Sequence, residues 1–127
     1  MRQPDAMALS PDVPTVDPAE AARRTGLSLD TLRYYEREGL IGPIERATSG
    51  HRRYTADDLT WIGIVTCLRD AELGIADLRR FTELLRSEGT GDRVGFLRRR
   101  REELVDRARR LQAAIAVLDD KISYYSR

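Results

Sequence analysis

The sequence predicts a predominantly all-α fold: two short helices, a small β-containing turn region, two further helices and one long C-terminal helix. Three observations predict it. Helix-start signals stand at Asp17, Ser28 and Thr55. A glycine- and proline-punctuated stretch separates the second signal from the third. A leucine repeat of period seven then runs through the C-terminal segment.

Asp17-Pro18-Ala19-Glu20 combines an N-cap acceptor, a proline where no amide is needed and a carboxylate three residues past the cap. It predicts a short helix from Pro18 to about Arg24. Thr25-Gly26 interrupts this helix, and Ser28 caps a second one through Leu32 and Tyr35 that Gly39 ends. Two short helices around a glycine turn make a helix-turn-helix candidate.

From Ile41 to Tyr54 the chain reads IGPIERATSGHRRY, with Gly42-Pro43 and Ser49-Gly50 as turn signals around short extended pieces. This pattern suits a small two-stranded wing. Thr55 and Asp58 have capping-box spacing and open a helix through Trp61, Ile62, Val65 and Leu68. Gly74 is expected to break the chain before a further amphipathic helix from Ile75 to Leu85.

Leu97, Leu104, Leu111, Leu118 and Tyr125 lie seven residues apart, with Ala108, Ile115 and Ile122 at the complementary heptad position. Such a seam needs a second helix and predicts a coiled coil; the alternative is a helix packed on its own domain. Arg101 falls on the seam, so tight packing is expected from Leu104 onward, through Ala108, Leu111, Ile115, Leu118 and Ile122. The predicted organisation is a disordered tail over 1–14, a helix-turn-helix domain with its wing over 15–86, a linker over 87–93 and a dimerisation helix over 94–125.

Composition narrows the function classes. In 127 residues there is room for one modest domain and an extension, not for a separate large ligand-binding core. Net charge is only +1, and Met1 to Thr60 carries 8 Arg against 10 Asp and Glu, so any contact with nucleic acid must come from a local patch. Cys67 is the one cysteine and His51 the one histidine, which leaves no set of metal ligands and no disulfide within the chain. The lone thiol fits a reducing cytosol. No apolar run reaches the length of a membrane span, and no cofactor motif is present.

A local patch does exist. Ser28, Asp30 and Thr31 occupy the first turn of the second helix, where a recognition helix meets base edges. Arg33 and Arg37 lie one helical turn apart, and the Tyr34 hydroxyl can donate to a phosphate oxygen. The alternative is that Arg33 and Arg37 pair with Glu36 and Glu38 on a solvated face. Arg46, His51, Arg52 and Arg53 cluster in the wing, where side chains can grip phosphate.

Taken together, AEAARRTGLSLDTLRYYEREGLI resembles the helix-turn-helix of the MerR family of bacterial regulators, and SGHRRYTADDL resembles its wing running into the third helix. The likeness covers about Thr15 to Tyr125. It implies a winged helix-turn-helix DNA-binding domain joined to a helix that forms an antiparallel coiled coil in a homodimer. It also implies a palindromic promoter as the DNA partner, with RNA polymerase affected indirectly when the over-long promoter spacer is bent and untwisted. By position, Arg33 and Tyr34 match the family's phosphate contacts, Arg52 its wing arginine, and Ser28 and Thr31 positions near the bases. The expected DNA-facing set is Ser28, Thr31, Arg33, Tyr34, Arg37, Arg52, Arg53 and Tyr54, in a bacterial cytoplasmic protein associated with the nucleoid.

The same resemblance speaks to the effector. Metal-sensing members bear cysteines at the start of the long helix and near its end, and this chain has none after Cys67. Drug-binding members append a further domain, and this chain stops at Tyr124-Tyr125-Ser126-Arg127. WIGIVTCLRDAELGIADL looks most like the aldehyde- and nitrosative-stress branch, in which a third-helix cysteine is associated with sensing electrophiles, so Cys67 is the effector candidate. Its reactivity would need nearby positive charge, with Arg69 and Arg98 to Arg101 as candidates. The alternative is an inert core thiol. Two other function classes stand beside the regulator: a helical adaptor whose basic patch is incidental, and a thiol enzyme, for which no supporting loop is present.

Overall fold

A computed structural model of the chain describes residues 13–86 and 91–127. Most of the expected tail, residues 1–12, and positions 87–90 of the expected linker lie outside the described residues. The elements in chain order are β1 (Thr15–Val16), α1 (Pro18–Thr25), α2 (Leu29–Arg37), β2 (Tyr54–Thr55), α3 (Ala56–Asp70), α4 (Ile75–Arg86) and α5 (Arg93–Tyr125). They fall into two compact units divided between Gly91 and Asp92.

Local chemistry sets the helix starts. The Asp17 carboxylate accepts the Glu20 N–H at 2.8 Å, with Pro18 in the first turn of α1. The Ser28 hydroxyl accepts the Thr31 N–H at 3.0 Å and opens α2. Thr55 and Asp58 form a reciprocal capping box at the head of α3, each side chain accepting the other's backbone N–H at 3.0 Å. Gly26, at φ +75°, ends α1 by donating to the Ala22 carbonyl, which makes the sharp turn into α2.

The turn between α3 and α4 differs from expectation. Gly74 has no positive φ; Glu72 takes the left-handed conformation instead, at φ +69°. Leu73 N–H reaches back to the Leu68 carbonyl at 3.1 Å and Glu72 N–H to Arg69 at 2.8 Å, the paired bonds of a Schellman ending. Helix α3 therefore stops before the glycine, and the Gly74 carbonyl accepts the Leu78 N–H at the head of α4.

One core unites the first unit. Ala21 from α1, Leu32 and Tyr35 from α2, Trp61, Ile62 and Val65 from α3, and Leu78, Phe81 and Leu84 from α4 are all buried. Their spacing puts one apolar stripe per helix inward. Leu40, Ile41 and Ile44, from the segment after α2, join them. The Leu40 carbonyl accepts both the Trp61 indole N–H, at 3.1 Å, and the Thr82 hydroxyl, at 2.6 Å. Arg79 on α4 donates to the Glu38 carbonyl at 2.7 Å and pairs with the Glu38 carboxylate. The end of α2 is thus held by α3 and α4 together.

The extended pieces pair differently from a simple hairpin. Strand β2 lies antiparallel to β1, with Thr15 opposite Thr55 and Val16 opposite Tyr54. The wing proper closes on a single antiparallel bridge between Arg46 and Arg52. Pro43 has no N–H to donate and Ile41 and Ile44 turn into the core, so no longer ladder forms there.

In the second unit, α5 is a single helix of 33 residues, capped by Asp92 through the Gly95 N–H at 2.9 Å. It is roughly 50 Å long at 1.5 Å per residue. Leu111, Ile115, Leu118 and Ile122 are each more than half exposed, Ala108 is exposed and Leu104 is partly covered. The heptad row therefore lies open along one chain. No helix among the described residues is long and apolar enough to cross a membrane.

Candidate nucleic-acid interface

Helix α2 presents Ser28, Asp30, Arg33 and Arg37 outward while Leu32 and Tyr35 point into the core. Ser28 and Thr31 engage each other: besides its capping bond, the Ser28 hydroxyl donates to Thr31 Oγ1 at 2.9 Å. Arg33 makes a long, exposed contact of 3.4 Å to Asp30, one turn earlier. The expected alternative of Arg33 and Arg37 paired with Glu36 and Glu38 is not what forms, because both carboxylates are used elsewhere. Glu38 binds Arg79, and Glu36 binds the wing.

Glu36 is the latch between recognition helix and wing. Its Oε1 accepts from Arg52 Nε at 2.7 Å, and its Oε2 accepts the Ile44 N–H at 3.0 Å. Both side chains are largely covered, 24% exposed for Arg52 and 18% for Glu36, so the pair is charge-assisted and partly desolvated. Arg53 is turned the other way: its guanidinium donates to Thr15 Oγ1 at 3.0 Å and the Thr15 carbonyl at 3.2 Å, which ties the wing to β1. Arg46 closes the wing turn by donating to the Gly50 carbonyl at 2.9 Å, with Gly50 at φ +90°.

Tyr54, expected on the DNA-facing surface, is a core side chain only 2% exposed. Its pairing with Val16 in the β1–β2 ladder turns it inward. Burial raises its phenol pKa above the ordinary tyrosine range, and the Arg52 guanidinium partly offsets that rise. Tyr54 still borders a cleft of about 110 Å³ between α2 and the wing, together with Arg33, Arg46, His51 and Arg52. Four basic side chains from separate stretches of sequence converge there. The opening admits a group the size of a phosphate, and the guanidinium forks match its oxygens.

Two placements lay beyond sequence reasoning. The Tyr34 ring is flanked by two guanidiniums, Arg37 at 5.6 Å and Arg69 at 5.4 Å from its centroid. Arg69 comes from the last turn of α3, and only its position one helix away hid it. Cys67, on the same helix, is exposed rather than packed in the core, because the buried face of α3 is Asp58, Trp61, Ile62 and Val65. Arg69, suggested as the thiol's neighbour, directs its guanidinium to the tyrosine rings. Among the described residues no group of three or more His, Cys, Asp or Glu side chains is arranged to hold a metal ion.

Comparison with known proteins fits this geometry. The sequence profile of the MerR HTH family of regulatory proteins matches residues 17–85. The HTH-type transcriptional regulator AdhR of Bacillus subtilis is 42% identical over 93 residues, 73% of this chain and 63% of the relative's own length. The crystal structure of a Listeria monocytogenes protein assigned to the MerR family superposes with a TM-score of 0.81 at 40% identity, covering 87% of this chain and 86% of that one. HiNmlR, a MerR family regulator lacking the sensor domain and solved bound to promoter DNA, superposes with a TM-score of 0.78 at 28% identity, covering 89% and 91%. These relatives are regulators rather than enzymes, which displaces the thiol-enzyme and adaptor alternatives. From the helix-turn-helix, the wing and the long helix together with these matches, the chain belongs to the MerR family of HTH-type transcriptional regulators.

Proposed function

We propose that the protein controls transcription as a homodimer that binds a palindromic promoter through the α2 face and the wing of each copy. The observation that carries this reading is the cleft in which Arg33, Arg46, His51 and Arg52 meet on a chain whose net charge is only +1. Arg33, Tyr34 and Arg37 would hold backbone phosphates, with Ser28 and Thr31 at the base edges. Arg52 would approach phosphate from its ion pair with Glu36, and Arg53 and Tyr54 would serve by shaping the wing. The open row from Leu104 through Ala108, Leu111, Ile115, Leu118 and Ile122 would close against the same row of a second, antiparallel copy. That arrangement spaces two recognition helices at a fixed separation. Bending and untwisting the spacer between two polymerase boxes is then the route to activation, so RNA polymerase is affected through the shared promoter. HiNmlR, bound to promoter DNA, supports the DNA-binding part of this reading.

Electrophile sensing at Cys67 completes the proposal. The exposed Cys67 thiol on α3 can add to an aldehyde carbonyl: a C–S bond forms as the carbonyl π bond breaks, and the thiol proton passes to the former carbonyl oxygen. A duplex from the protein's own upstream region should give a salt-sensitive complex, and Arg33→Ala should weaken it by about tenfold. Absence of any complex with folded protein would refute the reading. In a transcription assay from that promoter with and without formaldehyde, Cys67→Ser should abolish the response; a mutant that still responds removes Cys67 from the mechanism.

A further inference from the structure

Helix α5 carries its charge unevenly. From Arg93 to Arg110 it holds 8 Arg against 3 Asp and Glu, whereas beyond Leu111 the acidic side chains are Asp119 and Asp120 alone. Arg101 is out of place in this pattern, because it occupies a seam position one heptad before Ala108, between Leu97 and Leu104. Once a second helix covers the seam, a cation there needs a counter-charge within reach. Its own helix supplies none. Arg100 pairs with Glu103 at 3.4 Å and Arg109 with Asp106 at 3.7 Å. Among the described residues no ion pair or hydrogen bond engages the side chains of Arg98, Arg101 or Asp119, and all three residues are exposed.

This charge pattern selects the orientation of a second copy. In a parallel pair each seam residue meets its own counterpart, which sets Arg101 against the partner's Arg101 and leaves no opposite charges facing each other across the flanks. An antiparallel pair instead lays the basic half of one helix along the half that carries Asp119. Seam residues must still meet seam residues, so the register can slip only in steps of seven. One register covers the whole seam of α5, with Val94 opposite the partner's Tyr125, Leu97 opposite the partner's Ile122 and Arg101 opposite the partner's Leu118. It covers Val94 and Leu97, which are 59% and 36% exposed in the single chain. A slip of one heptad leaves either these two residues or Ile122 and Tyr125 with nothing facing them. In the full register the partner's Asp119 falls between Arg98 and Arg101, which lie three residues apart on one helix face.

We propose that Arg98 and Arg101 of each copy hold Asp119 of the other, and that these two symmetric ion clusters fix the antiparallel orientation and the register of the α5 pair. The proposal rests on the homodimer reading given above. A charged residue on the seam then selects one pairing against the others, at some cost in stability. The simpler role for Arg101, its stem laid over the seam and its head in water, requires no carboxylate at position 119.

Sedimentation equilibrium of the full chain reads the dimer dissociation constant. Arg101→Glu and Asp119→Arg should each raise it by about tenfold, because each turns two attractions into two repulsions, while circular dichroism stays helical. Combining the two exchanges should bring it back to within about threefold of wild type, the remainder coming from Arg98, which then faces a like charge. Disulfide trapping in a Cys67→Ser background reads the register. Leu97→Cys with Ile122→Cys should oxidise to a covalent dimer; Leu104→Cys with Ile122→Cys, which face each other only after a one-heptad slip, should stay unlinked. No recovery in the combined exchange would overturn the ion cluster, and trapping of the Leu104→Cys, Ile122→Cys protein alone would overturn the register. A wild-type chain that sediments as a monomer at every concentration would overturn the homodimer reading itself, so the failures are distinguishable.

Discussion

Glu72 is the single non-glycine residue with a positive φ among the described residues, and it pays for the Schellman turn between α3 and α4 with backbone strain. A left-handed β-carbon costs about 1–2 kcal/mol. Glu72→Gly should therefore raise the unfolding free energy by about 1 kcal/mol once glycine's extra freedom in the unfolded chain is counted. Chemical denaturation checks this, and a loss of stability would show that the turn is not strained. Tyr54 makes a second prediction. Its phenol pKa is higher folded than unfolded, so below about pH 10 its burial contributes fully. As pH rises through the tyrosine range the unfolded chain gives up this proton first, and stability falls. Tyr54→Phe should flatten the loss of stability seen between neutral and strongly alkaline pH; an unchanged alkaline limb would place the loss elsewhere. Legibility at this scale follows sequence distance. The caps at Asp17, Ser28 and Thr55 were readable because each partner is three residues away. Glu36 with Arg52, sixteen residues apart, and Arg69 with Tyr34 were not, because tertiary packing alone brings them together.

The helices were legible because period and punctuation agreed: one buried stripe per helix, with capping residues at the starts. The β1 strand was not, since two residues carry no period, and Thr15 and Val16 find their partners only after the chain has returned at Tyr54 and Thr55. The wing was legible in place but not in form, because Pro43 and the inward Ile41 and Ile44 restrict its pairing to one bridge. Helix α5 shows the reverse case. Its heptads were plain in the sequence, and the exposed Leu111, Ile115, Leu118 and Ile122 show what they leave uncovered. Burying one such side chain stabilises by about 1.5–3 kcal/mol, so the proposed symmetric seam would draw several such contributions from each copy against the cost of association. Ile115→Asp combined with Leu118→Asp should shift the protein from dimer to monomer in sedimentation velocity while α1 to α4 stay folded. A dimer that persists would place the interface away from this row.

At the scale of the whole molecule, the charge balance conceals the site. A net charge of +1 gives no hint of a basic surface, and acidic residues outnumber arginines in the first sixty positions. Folding separates the two populations: Glu36 and Glu38 are consumed in holding the wing and α4 to the recognition helix, while Arg33, Arg46 and His51 line the cleft. Glu36 and Glu38 are thus part of the scaffold that aims the basic residues. In the proposed complex, two copies of this scaffold read one twofold-symmetric site. Hydroxyl-radical footprinting on the upstream region, with the stoichiometry of the same complex from sedimentation, tests it most directly. The prediction is two chains per duplex and two protected patches related by a dyad, both lost in the Ile115→Asp, Leu118→Asp protein. A single chain per duplex, or protection without symmetry, would contradict it.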